Sequence, residues 1–259
     1  MSNTHKIAII GTGNVAFHLT RFFQNNGVVI DCVYGRNRKI LEEFEHTFNL
    51  SISADLGRIQ PDTLAIVCVS DSAIPEVLHR IPKNVKIAYT SGSTNISSLP
   101  KDRILGVFYP LQTFSKGLAL SPENIPFFLE ANDVDFEKEL IELAKLISKH
   151  VNKATSEDRY HLHLAAVMSN NFVNHLFQLS EKYLGAHQLS FDYLKPLIQE
   201  TVRKIELASP AKTQTGPAKR KDSLIIEKHL ASLSGLENEV YSILTRSIQQ
   251  LNTTNEDEL

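Results

Sequence analysis

Hydrophobic residues recur along this chain in two rhythms, and the change from one to the other divides it. Up to about residue 150, short apolar runs alternate with stretches whose apolar positions fall every three or four residues. The first run, Ile7-Ala-Ile-Ile10, leads straight into Gly11-Thr-Gly13-Asn-Val-Ala16, and Val15, Phe17, Leu19, Phe22 and Phe23 then follow at helical spacing. Residues 28–34 read as a second strand, 39–48 as a helix and 51–54 as a short third strand. The unbroken apolar run 63–69 predicts a central parallel strand, buried on both faces. Further strands are expected at 86–89, 104–108 and 126–130, then a helix at 136–150 with Leu140, Leu143, Ala144 and Ile147 on one face. Beyond this point the strand pattern stops. Helices are expected at 158–184, 191–208 and 224–250, with a polar stretch at 209–222. The pattern predicts an α/β domain over 1–152 and an all-α domain over 153–259.

The glycines near the start say what the first domain holds. Gly11 allows a tight turn out of the strand, Gly13 lets backbone approach a pyrophosphate, and Ala16 lets the helix pack close to the sheet. Helix-start N–H groups then face the anion, so Gly11, Thr12, Gly13, Asn14 and Val15 form the expected phosphate loop of a Rossmann-like, doubly wound, mainly parallel sheet. An NAD-binding unit places an acid at the end of the second strand. Here Asp31 lies mid-strand, and Arg36 and Asn37 follow the strand end with Arg38 and Lys39 behind them. Cations there match a 2′-phosphate, which favours NADP over NAD. Loops at strand carboxyl ends line the ligand crevice. That places Ser70 and Asp71 on one wall of the cofactor cleft, and Ser91, in Thr90-Ser-Gly-Ser-Thr94, beside the nicotinamide.

Composition narrows the remaining options. Of 259 residues, 42% are hydrophobic, enough for a core, and a net charge of −2 gives no general attraction to nucleic acid or anionic membrane. No apolar run is long enough to span a bilayer, and Met1–Lys6 lacks the apolar core of a signal peptide, so neither nucleic acid nor membrane is an expected partner. Cys32 and Cys68 both fall in expected strands and read as buried thiols of a reducing, cytoplasmic protein. No Cys/His spacing suggests a metal site. The acidic end, Asn255 to Leu259, reads as a frayed tail.

In the helical half, His163, Asn170 and Asn174 fall on one narrow stripe of the long helix, at about 100° per residue. Polar groups aligned within an apolar helix need partners or a wet cavity. The stretch Thr215 to Asp222 is too polar for a core, rich in hydrogen-bonding groups, and long enough to reach the same cleft from its own subunit or a partner's.

These segments together resemble a bacterial family that joins a Rossmann-like half to a helical half of unknown function, often labelled deazaflavin-dependent NADP oxidoreductase. The likeness runs over nearly the whole chain and is most specific at Pro110-Leu-Gln-Thr-Phe114, at His163-Leu-Ala-Ala166 with Asn170 to Asn174, and at Gln214 to Ala218 with Arg220 and Asp222. The family commonly carries His before this Pro; Tyr109 stands there instead. The two-domain plan is also similar to pyrroline-5-carboxylate reductase, ketopantoate reductase and the 3-hydroxyisobutyrate and 6-phosphogluconate dehydrogenases. Several of those dehydrogenases use a Lys and an Asn one turn apart on the first helix of the second domain. No Lys stands on the His163–Asn170–Asn174 stripe, so a His would replace it. The resemblance implies an NADP(H)-dependent oxidoreductase acting on a small organic substrate between the domains. In that reading His163 is the general acid or base, with Asn170 and Asn174 orienting the substrate. Ser91 stands near the reacting ring, and Arg220 clamps an anionic group. Two alternatives stand beside it: a non-catalytic NADP-binding or regulatory module, and a deazaflavin–NADP oxidoreductase, for which no short motif speaks. The C-terminal helices carry more apolar positions than so small a bundle can hide, which predicts a homodimer through residues after about 153.

Overall fold

The computed structural model describes residues 6–256. Residues 1–5, and 257–259 of the expected frayed tail, lie outside the described residues. The chain forms two compact units, Met1–Asn171 and Phe172–Leu259.

The first unit opens with β1 (Lys6–Ile10), α1 (Asn14–Asn25), β2 (Val29–Tyr34), α2 (Arg38–Phe48), β3 (Ile52–Ser53), β4 (Leu64–Val67), α3 (Ile74–Arg80) and β5 (Ile87–Tyr89). It continues with β6 (Leu105–Pro110), β7 (Phe127–Ala131), α4 (Val134–Lys145), β8 (Val151–Lys153) and α5 (Ser156–Ala166), and closes in a π-helical segment, Val167–Asn171. All eight strands join one sheet in the order β3-β2-β1-β4-β5-β6-β7-β8. Every pair from β3 to β6 is parallel, β7 runs antiparallel to β6, and β8 runs parallel to β7. The chain first winds outward from β1 to β3, then crosses back to β4, so the order reverses between β1 and β4. Such a reversal opens a crevice at the strands' carboxyl ends.

The alternation within each strand accounts for the two layers. Ile7 and Ile9 enter a core with Phe22, Phe23, Phe108 and Phe136, while Ala8 and Ile10 enter the opposite one with Val67, Leu78, Tyr89 and Tyr109. Gly106 is required in the first layer, since a Cβ there would lie 2.5 Å from Leu140 and 2.9 Å from Phe136 of α4.

Several expected boundaries move. β8 was not foreseen, because Val-Asn-Lys is too short and polar to show an alternation and is a strand only by pairing with β7. The helix expected at 136–150 begins earlier and ends at Lys145; Asp133 caps it by accepting from the Phe136 N–H at 2.8 Å. The first compact unit includes α5, whose Arg159 donates to the Ser91 and Thr94 carbonyls and to Glu130.

The second unit comprises α6 (Phe172–Ala186), a 3₁₀ turn (Phe191–Leu194), α7 (Lys195–Leu207), the single turn α8 (Pro210–Thr213), α9 (Ser223–Ala231) and α10 (Gly235–Glu256). The helix expected at 224–250 is therefore two. The break falls at Gly235, whose φ of +54° is left-handed, and Asn238 donates to the Leu230 carbonyl at 2.8 Å. The apolar rhythm passes through both helices and conceals the break. Among the described residues, no helix is long and apolar enough to cross a membrane.

Candidate active site

Two clefts of the first unit adjoin at the β1/β4 reversal and share Val69. The first, of about 320 Å³, is lined by Gly11, Thr12, Gly13, Arg36, Asn37, Ser70, Glu76 and Arg80 among others. Gly11 has φ +116°, and a Cβ there would sit 2.2 Å from the Cys68 carbonyl oxygen, so only glycine fits. Gly13 meets nothing within 4 Å. Space stands open above it for a ligand, at a helix start with no side-chain cap and no acid in the first turn. Those free N–H groups suit an anion.

The strand-end chemistry also fits NADP. Asp31 is held by Lys6 at 3.2 Å, within β2. Arg38 pairs with Glu42 at 2.9 Å, and Asn37 caps α2 by accepting from the Ile40 N–H, which leaves Arg36 to line the cleft. Arg80, one helical turn beyond Glu76 on α3, adds a second cation to the same cleft; nothing in the sequence pattern signalled it. Cys68, just past β4, is a free thiol whose pKa burial pushes up to about 12, so it stays protonated beneath the glycine turn. Cys32 is also free and buried.

The second cleft, of about 490 Å³, brings together Asn14, Val15, Asp71, Ser91, Gly92, Tyr109 and residues 110–114 with His163, Asn170 and Asn171. Its wall at 90–94 is tightly held. The Ser91 hydroxyl donates to Thr94 Oγ1 at 2.9 Å and accepts from the N–H groups of Ser93 and Thr94. Ser91 thus shapes the loop, and its oxygen is already engaged. The Asp71 carboxylate accepts from the Ser93 hydroxyl, tying this loop to the turn after β4. Behind the loop Arg159, fully buried, donates to the carbonyls of Ser91 and Thr94, to Ser156 Oγ, and to Glu130 Oε2 at 2.5 Å. A buried cation so well partnered fixes geometry. Sequence reading missed it, because one Arg in an amphipathic helix carries no sign of which way it turns.

His163, half-buried on α5, meets Tyr109 from the end of β6: the phenol oxygen lies 3.1 Å from His163 Nδ1, with the rings edge to face at 6.1 Å. Gly92 permits the approach, since a Cβ there would fall 2.6 Å from the Tyr109 ring and 3.0 Å from His163 Cβ. Burial pushes the Tyr109 hydroxyl up to about 12. Tyr109 was legible in principle, for the strand-end rule that singled out Ser91 after β5 applies equally at the end of β6.

The π segment revises the expected stripe. Its wider turn carries Asn170 and Asn171 together onto the cleft wall beside His163, whereas regular helical spacing put His163, Asn170 and Asn174 on one stripe. Asn174, on α6, and Arg220, in the loop before α9, belong to the second unit, and both are exposed.

Comparison with known proteins agrees with this architecture. Residues 6–88 match the family described as NADP oxidoreductase coenzyme F420-dependent, and residues 125–248 match a domain of unknown function, DUF2520. A crystal structure described as "putative NADP oxidoreductase" from Bacteroides fragilis is 35% identical, with a TM-score of 0.88, over 96% of this chain and 99% of that one. The chain belongs to that NADP oxidoreductase family. At 14% identity, pyrroline-5-carboxylate reductase from Streptococcus pyogenes shares the fold, with a TM-score of 0.65 over 97% of this chain and all of that one (100%). The reductive aminase from Aspergillus terreus, solved with NADPH, does so at 15% identity and a TM-score of 0.67, over 98% and 94% of the two chains. Among curated proteins, none matches.

Proposed function

We propose that the protein is an NADP(H)-dependent oxidoreductase that reduces or oxidises a small organic substrate in the second cleft. The observation that carries this reading is the junction at Val69. A glycine-turn cleft with two cations meets there a second cleft, lined by Asn14 and Val15 and walled by an accessible histidine. In this reading Gly11, Thr12, Gly13 and Ser70 hold the pyrophosphate, and Arg36, with Arg80 and Asn37, holds the 2′-phosphate. Bound NADPH supplies a hydride. Asn14, Val15 and the 90–94 loop shape the bay for the reacting ring, and His163 manages the proton at the substrate. Asn170 and Asn171 orient the substrate's polar group. Asn174 and Arg220 of the second unit stay candidates for binding a ligand, Arg220 an anionic group, because both side chains are exposed.

The test is direct. His163→Ala is expected to lower turnover by about 10²–10⁴-fold, while NADPH affinity stays within twofold, since the dinucleotide rests on the other cleft. Absorbance of the reduced nicotinamide with a panel of small carbonyl compounds and imines gives the first number, and calorimetry the second. Unchanged turnover would overturn the role. A deazaflavin in the second cleft is a separate reading, favoured by the description of the matched family; a visible-absorbance titration with deazaflavin decides it.

The reading includes a homodimer through the helical unit, in the cytoplasm. Supporting the dimer, Leu197, Leu207, Leu224 and Ile243 stand more than half exposed, and a groove of about 560 Å³ lined by Leu176, Leu184, Leu194 and Leu244 is open. Supporting the compartment, the two cysteines are free thiols.

A further inference from the structure

We propose that Tyr109 sets the tautomer of His163: its phenol donates to Nδ1, so the neutral imidazole carries its proton on Nε2 and presents the second cleft with a hydrogen-bond donor. This deepens, and rests on, the reading of that cleft as the reaction site.

The geometry supplies the argument. Tyr109 is 7% exposed, and its oxygen is 3.1 Å from Nδ1. Burial pushes the phenol up to about 12, so the hydroxyl keeps its proton throughout the working range. A neutral phenol facing the bare nitrogen of an imidazole acts as donor, because it is the far stronger acid of the two. The other nitrogen, Nε2, has no partner among the described residues and is not sealed from solvent, and His163 lines the second cleft. Which ring nitrogen bears the proton is set by the bond the other makes. Around the pair stand Asp71, its carboxylate already accepting from Ser93, Arg159 behind the loop, and the uncharged Asn170 and Asn171. None of these competes for Nδ1.

A donor at that position selects an acceptor. The lone pairs of a carbonyl oxygen or of an unprotonated imine nitrogen fit it, whereas a protonated imine nitrogen has none to offer. A carbonyl substrate illustrates the use of the donor. When the carbonyl carbon gains hydride, the π pair passes to oxygen, which takes the Nε2 proton; Nδ1 takes the phenol proton, and the phenolate recovers one from water. The relay runs toward the weaker acid, because an aliphatic alcohol is less acidic than the phenol. Tyr109 acts through His163 and is a positioning residue.

Long-range ¹⁵N–¹H spectra of the labelled full-length protein test it, without a substrate. The His163 signals are identified by their loss in His163→Gln. At mildly alkaline pH the wild type should show a protonated, pyrrole-type Nε2 and a bare, pyridine-type Nδ1. Tyr109→Phe, which keeps the ring in place, should shift both toward the averaged values of a tautomer mixture. A wild-type Nδ1–H tautomer, or an unchanged spectrum in Tyr109→Phe, would overturn the proposal; the first does so even if the variant does not fold, and a wild-type Nε2–H population beyond that of free histidine supports it. NADPH titration of the same samples separates the two readings. An Nε2–H tautomer without NADPH binding sinks the proposed function and leaves the tautomer assignment standing.

Discussion

In the sheet unit Phe22, Phe23, Phe108, Phe127 and Phe136 are sealed, each at most 1% exposed, and the runs Ile7–Ile10 and Leu64–Val67 are hidden from water. In the helical unit, among the described residues, only Ala218 and Ile226 are buried, each still 8% exposed, while Leu224 is 78% exposed and Leu207 73%. The two units are similarly rich in leucine and isoleucine, so those residues alone do not explain the contrast. A sheet with helices on both faces closes its own core. Short helices lying side by side each keep an outward apolar face. The comparison teaches where a unit closes its own core and where it leaves apolar surface open.

Phe136→Ala probes the self-contained side and should have the largest effect. Deleting a fully buried ring costs about 3–5 kcal/mol. Denaturant melts should show that loss equally at every protein concentration; dependence on concentration would mean that the sheet unit, too, leans on a partner.

Arg36→Ala sharpens the comparison by testing ligand binding on the same self-contained side. Loss of a charge-assisted contact should weaken NADPH by about 1.5–3 kcal/mol and leave NADH almost unaffected. Calorimetric titration of both dinucleotides measures it, and equal wild-type affinities would remove the 2′-phosphate assignment.

Leu197→Glu addresses the other side. If a second copy covers α7, the dimer should weaken by tenfold or more, about 1.4 kcal/mol, as read by light scattering across concentrations. A wild type that is monomeric at micromolar concentration would break the comparison, leaving the bare face as the molecule's own.

The smallest effect is alkaline. Cys68 rises from 9.0 to about 12 in the fold, and Tyr109 from 10.0 to about 12, both through burial. A group whose folded pKa is raised stabilises fully below its unfolded value and loses that contribution as pH climbs through the folded one. Melting temperature should therefore hold to about pH 9 and fall above it. Cys68→Ala should make the fall between pH 9 and 10 shallower, the buried Cys32 thiol supplying the rest, and an unchanged slope would deny Cys68 that role.

Local pattern carried much of the design in advance. The Gly11–Val15 turn, Arg36 at the strand end, Ser70 and Asp71 at the crevice, and His163 with Asn170 on one helix face all follow from spacing and strand-end geometry, and the two clefts are lined by these residues. Those features depend on residues close in sequence, where backbone period alone decides which side a residue takes. What needed the tertiary structure depends on residues far apart. Tyr109 and His163 are 54 positions apart and meet because Gly92 makes room. Arg159 turns inward because Glu130 and two carbonyls await it. β8 is a strand because β7 offers it an edge, and Asn171 shares the cleft because the helix widens there. In each case the local sequence is compatible with several outcomes of nearly equal free energy, and only the packing of distant segments separates them.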